Sequence, residues 1–181
     1  LTVKPILVIG NPILRIAAAP VVDFGPSLQT LIDDLHDTLA TRDGAGLAAP
    51  QIGVGLRVFV LSEEQAAAAG GFDHLVNPTL AFPDDEQRLR PEGCLSVSSI
   101  PLYLKTLRWR RVIATGCTVD RRPVEIDATD FLAQVLQHET GHLDGELFVE
   151  HRGAGELEDV MSNVRNLAEH GRPPAEPGAH T

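Results

Sequence analysis

The sequence is short of cysteine, of positive charge, of long apolar runs and of repetition. Two cysteines in 181 residues, Cys94 and Cys117, are too few for a disulfide framework. That leaves a thiolate free for other work and points to a reducing cytoplasm. Fifteen Lys and Arg against 25 Asp and Glu give a formal net charge of −10, which argues against DNA and anionic membranes as partners. No run of 18 apolar residues offers a membrane span. The opening LTVKPILVIG lacks a basic n-region and a small-residue cleavage site, so it reads as an edge strand or docked arm rather than a signal peptide. With no internal repeat and no dividing linker, the expectation is one domain over residues 1–170. The Pro/Gly-rich stretch 171–181 is expected to be a disordered tail.

What is present follows a mixed pattern. Leu28, Leu31, Ile32, Leu35 and Leu39 recur at helical spacing behind Ser27, a reasonable N-cap. Residues 43–55, with four glycines and a proline, form a loop with special backbone needs. RVFVL (57–61) reads as a strand, 62–74 as an exposed alanine-rich excursion, and HLVNPTLAF (74–82) as a strand broken at Asn77-Pro78. An acidic turn at 84–88 precedes RPEGCLSV. Strands follow at 110–119 and over PVEID, then a long helix from Thr129 to Asp144-Gly145 and a terminal helix over 156–169. Lys105, Arg108, Arg110 and Arg111 around Trp109 read as the solvent face of a strand rather than an RNA contact. The fold class expected is α+β, mostly antiparallel sheets around a buried central helix.

That helix carries the chemistry. His138-Glu139-Thr140-Gly141-His142 has H-E-x-x-H spacing, which stacks two imidazoles on one helix face. Glu139 lies about 100° around the helix, where its carboxylate can take a proton from water at a metal. Two histidines leave the site unclosed. The candidates for a third ligand are a glutamate downstream (Glu156, Glu158 or Glu169) and Cys94 in Glu92-Gly93-Cys94-Leu95-Ser96. A third histidine three residues past Gly145 is ruled out, because that position is Phe148. Cys117 and the histidines at 36, 74, 151, 170 and 180 read as core, surface or structural residues.

Three segments together resemble the peptide deformylases. Gly44-Ala45-Gly46-Leu47-Ala48-Ala49-Pro50-Gln51 is similar to their G-x-G-L-A-A-x-Q motif. Glu92–Ser96 is similar to their E-G-C-L-S, and Gln137–Gly145 to their Q-H-E-x-x-H-L-x-G. The arm Gly10–Arg15 fits ahead of them. The resemblance implies that Cys94, His138 and His142 hold one divalent ion, usually Fe(II) and replaceable by Zn, Ni or Co. It implies hydrolytic removal of the N-formyl group from the N-terminal methionine of nascent peptides, with the ribosome surface as a further expected partner. Glu139 acts as general base and then acid, and the Gln51 amide and Leu95 backbone N–H receive the oxyanion. Substrate lies along Gly44, Ala45, Gly46 and Leu47 and against Glu92 and Gly93, with Phe131 and Val135 offering an apolar pocket for the methionine. The glycines at 44 and 46 are expected for backbone freedom and close peptide approach. Departures from the pattern fall at Ser98, Thr106 and Gly141, with Lys105 or Arg108 as stand-ins for an arginine expected near 106. Competing readings are a zinc endopeptidase using Glu156 or Glu158, and a low-turnover paralogue that only binds formylated peptides.

Overall fold

The computed structural model describes residues 2–97 and 104–150. The expected helix at 156–169, the tail 171–181, Ser98 and the alternative ligands Glu156, Glu158 and Glu169 lie outside the described residues.

The opening segment docks as an arm. The Leu7 N–H donates to Gln51 O and the Ile9 N–H to Ser96 O, both at 2.8 Å, so one extended stretch stitches together two of the motif segments. A short 3₁₀ turn, Pro12–Arg15, is capped by the Asn11 side chain, and the Ala18 N–H reaches Leu143 O. Helix α1 then spans Pro26–Leu39. Gly25 takes the cap position rather than Ser27, since Pro26 is suited to the first helical position by its missing N–H and fixed φ.

Strands β1 (Gly46–Ala48) and β2 (Val58–Leu61) follow, then β3 (His74–Ala81). Between β2 and β3 the alanine-rich stretch departs from expectation. It forms helix α2, Glu63–Ala68, with Ser62 as its cap and with Gln65, Ala66 and Ala69 buried. β3 is also unbroken. Its register shifts between Val76 and Thr79, where Asn77 takes φ 53° and its amide both accepts from the Val21 N–H and donates to Val21 O. Asparagine tolerates that backbone better than most residues. Residues 87–92 carry no strand alternation, yet Gln87–Glu92 forms β4 by pairing with β5, Leu104–Trp109. β6 (Arg111–Cys117) and β7 (Pro123–Thr129) complete an antiparallel sheet of order β1-β2-β3-β6-β7, with β4-β5 as a separate ribbon. Helix α3, Asp130–Asp144, follows, with Gly145 in the left-handed cap position at φ 78°, and a short 3₁₀ turn, Phe148–Glu150, comes after it.

The sheet is covered on both faces, which explains why RVFVL reads as a continuous apolar run. Val58 and Val60 pack with α1, whereas Phe59 and Leu61 pack with α3. Along β7 the alternation is clean: Val124, Ile126 and Ala128 face α3 while the intervening residues are exposed. α3 is therefore central, with Ala133, Leu136 and Leu143 fully buried.

The basic run is less exposed than its sequence suggests. Arg111 pairs with Asp127 at 2.6 Å, and Arg110 meets Glu86 at 3.3 Å. Arg108 turns inward to Glu92, its side chain only 11% exposed. The charge of these three arginines is matched locally by Glu92, Glu86 and Asp127.

Candidate metal centre and active site

Two elements meet at the site. α3 supplies His138, Glu139 and His142, and the segment following β4 supplies Cys94 just before the short 3₁₀ turn Leu95–Val97. Their donor atoms converge. Cys94 Sγ lies 3.3 Å from His142 Nε2, which lies 3.2 Å from His138 Nε2. One ligand atom from each of the three residues falls within 4.8 Å of the other two. Two imidazole nitrogens and a sulfur at such distances need a proton or a cation between them. Burial alone would lower the His138 pKa, but Cys94, Glu92 and Glu139 outweigh it and raise the value well above the ordinary one. Burial drives His142 well below its ordinary value, so its imidazole is neutral and able to donate. One thiolate and two imidazoles are a donor set that fits a divalent transition ion.

The candidate ligands are themselves held in place. The carboxylate of Glu92 accepts from His138 Nδ1 at 2.5 Å, which leaves Nε2 as the nitrogen that faces His142. The same carboxylate takes both Nε and Nη2 of Arg108, at 2.9 and 2.6 Å, and the hydroxyl of Thr106. Burial works to raise the Glu92 pKa. The hydrogen bonds from His138 and Arg108 outweigh it, so the group stays ionised well below the usual carboxylate range. Thr106 and Arg108 thus both end on the group that orients His138.

Glu139 is buried and its Oε2 has no hydrogen-bond partner among the described residues. Burial pushes its pKa up to about 7, against the opposing charge of His138. Gly46 makes room for it: a Cβ there would lie 2.7 Å from Glu139 Oε1. A Cβ on Gly44 would meet Leu95 and Leu39 at 3.0 and 3.1 Å. Neither glycine has a left-handed φ, so the reason for both is close packing by the protein's own side chains, not the backbone freedom expected from sequence. Gln51 is 2% exposed. Its Oε1 accepts from the Ala48 N–H at 2.8 Å, and this turns Nε2 toward Ser96 Oγ at 3.2 Å and Cys94 Sγ at 3.7 Å.

A cleft of about 380 Å³ opens over these groups. Gly44, Ala45, Gly46, Gln51, Glu92, Gly93, Cys94, Leu95, Phe131, Val135, His138 and Glu139 all line it. His142 lies behind, 1% exposed. Leu47 does not line the cleft; its side chain is fully buried against α1. Reading the sequence missed Asp43, Pro91, Val97 and Gln134, which also line the cleft. Gln134 was within reach, because it stands four residues before His138 on the same helix face.

A second group of possible ligands, His36, Asp73 and His74, is brought together by α1 and the start of β3. His74 Nε2 accepts from the Val119 N–H at 2.9 Å, so the ring proton sits on Nδ1, which faces Asp73 Oδ1 at 2.6 Å. Neither nitrogen of His74 has a lone pair to give, and the group is structural.

A family model described as polypeptide deformylase matches residues 3–157. The chain belongs to this family. It is 42% identical over 165 residues to a peptide deformylase of Acidothermus cellulolyticus, covering 91% of this chain and 87% of that one. Among solved structures, a peptide deformylase of Legionella pneumophila aligns with TM-score 0.83 and 33% identity, over 96% of this chain and 100% of the other. One from Ehrlichia chaffeensis in complex with actinonin aligns with TM-score 0.83 and 26% identity, over 94% and 99%. As a peptide deformylase, the chain is a metal-dependent hydrolase that takes the N-formyl group from the N-terminal methionine of nascent polypeptides.

Proposed function

We propose that Cys94, His138 and His142 hold the ion of this deformylase, with Glu139 as general base and then acid. Fe(II) is the physiological ion in this reading, and Zn, Ni or Co can replace it, since thiolate and imidazole donors suit all four. The observation that carries the reading is the approach of three donor atoms from two elements with a buried, unpaired carboxylate beside them. Bound there, such an ion acts as a Lewis acid and lowers the pKa of water.

The chain's own residues do the rest. Glu139 holds a proton at its carboxylate and later returns it to the leaving amine, a task suited to a pKa near neutrality. Gln51 is fixed through Oε1, so its Nε2 is a donor already in position for a developing oxyanion, alongside the Leu95 backbone N–H. β1 pairs with β2 on one side only and is an edge strand. Its Gly46–Ala48 backbone, extended by Gly44 and Ala45, is suited to take an extended peptide as an added strand. Leu47 acts through that backbone, with its side chain in the core. Glu92 and Gly93 form the facing wall, and Phe131 and Val135 give the methionine side chain an apolar surface. The reading carries with it one catalytic domain over residues 1–170, contact with the ribosome surface and a cytoplasmic location, where nascent formylated chains are met.

Anaerobically iron-loaded protein is expected to release formate from a formyl-Met dipeptide, and Cys94→Ser to lose both metal and turnover. Absence of formate release with metal demonstrably bound overturns the proposal.

A further inference from the structure

Gln134, His138 and His142 follow one another at four-residue intervals on α3. Gln134 therefore lies one turn, about 5.4 Å, above the first histidine and on the same face. A straight side chain of methionine length, attached to a residue whose formyl group sits at the metal, spans that distance. Gln134 is 5% exposed and lines the cleft beside Phe131 and Val135. A buried amide is costly unless its polar atoms are used. One N–H is used: Nε2 donates to Pro91 O at 2.9 Å, pinning the amide between α3 and the end of β4. Among the described residues, the other N–H and Oε1 make no hydrogen bond. A purely structural clamp needs only the first N–H, which leaves the second N–H and Oε1 for whatever occupies the cleft.

We infer that Gln134 is a specificity-determining residue that reads the sulfur of the substrate's first side chain, and that it admits S-oxidised methionine as well as methionine. The inference rests on the deformylase reading of the cleft. Norleucine has the same length as methionine but offers no acceptor. A thioether sulfur is a weak acceptor, and a sulfoxide oxygen is a strong one. The preference contributed by the amide therefore rises from norleucine through methionine to methionine sulfoxide. A site with a buried donor discriminates most sharply against the ligand that leaves it unpaired.

The test measures kcat/KM for formate release from three dipeptides that differ only in the first residue: formyl-norleucyl-, formyl-methionyl- and formyl-methionine-sulfoxide-alanine. Wild type is compared with Gln134→Leu and with Gln134→Met, an unbranched apolar residue of similar length. Both variants are expected to lower the sulfoxide-to-norleucine ratio about tenfold, the scale of one good hydrogen bond, with methionine in between. Because each ratio is taken within one enzyme, a general loss of activity does not disturb it, and Gln134→Met serves if Gln134→Leu does not fold. An unchanged ratio, or equal loss on all three peptides, makes Gln134 a clamp alone and overturns the inference. Failure of wild type to release formate from any of the three overturns the active-site reading and this inference with it.

Discussion

Glu139 and Glu92 differ in what meets their burial: Glu92 has the hydrogen-bonded Arg108, whereas at Glu139 burial outweighs the opposing charge of His138 and Oε2 is unpaired among the described residues. The Glu139 pKa is accordingly raised to about 7 while that of Glu92 is lowered. In the proposed mechanism this separates the two carboxylates into a proton-transfer group and a fixed charge. The sign follows directly. A base must be ionised, and a raised pKa keeps the carboxyl protonated below about 7, so kcat/KM is expected to fall as pH drops through that value. Glu139→Gln should lower kcat by about 10²-fold or more and remove this acid limb from the pH profile. Most of these residues were legible in the sequence, because H-E-x-x-H spacing fixes a face. The close packing around Glu139 was not, since it depends on Gly46 arriving from β1, some 90 residues earlier in the chain.

At the scale of elements, α3 carries an oddity in Gly141. It lies between the two histidines, inside the helix, with ordinary helical φ. A Cβ there would meet only Glu146 Cβ, at 4.0 Å, so nothing in the packing requires glycine. Gly141→Ala is expected to stabilise the protein by about 0.5–1 kcal/mol, read as a rise in Tm, with the metal content unchanged. The helices and buried strands could be read ahead of the structure because each has its own periodicity: α1 and α3 at helical spacing, β7 by alternation, β2 by a short apolar run. β4 could not. Its residues Gln87, Arg88, Leu89 and Pro91 have no alternation and are exposed, and the strand exists through its pairing with β5. Arg108 was misread for the same reason, since a basic residue in a strand faces solvent unless an anion waits inside, and Glu92 does.

For the whole molecule, the site is a seam. Cys94 belongs to the segment after β4, the histidines belong to α3, and the N-terminal arm ties the Gln51 and Ser96 backbones to each other. In the proposed site, an ion shared by Cys94 and α3 would bind the folded chain and not the unfolded one, and so would stabilise the fold by mass action. Stripping metal with a chelator is expected to lower Tm by about 5–10 °C. In Cys94→Ser the chelator should leave Tm where it is; an equal drop there would place the stabilising metal elsewhere. Sequence by itself determined the α+β class, the central helix with its two histidines on one face, and the family, because spacing along one helix and three short motifs are local properties of the chain. Tertiary structure alone decided that Glu92 collects His138, Arg108 and Thr106, that Gly44 and Gly46 are small to admit Leu95 and Glu139, and that Gln134 faces the cleft. Each of those depends on which residues distant in the chain meet in space, and no local pattern records that.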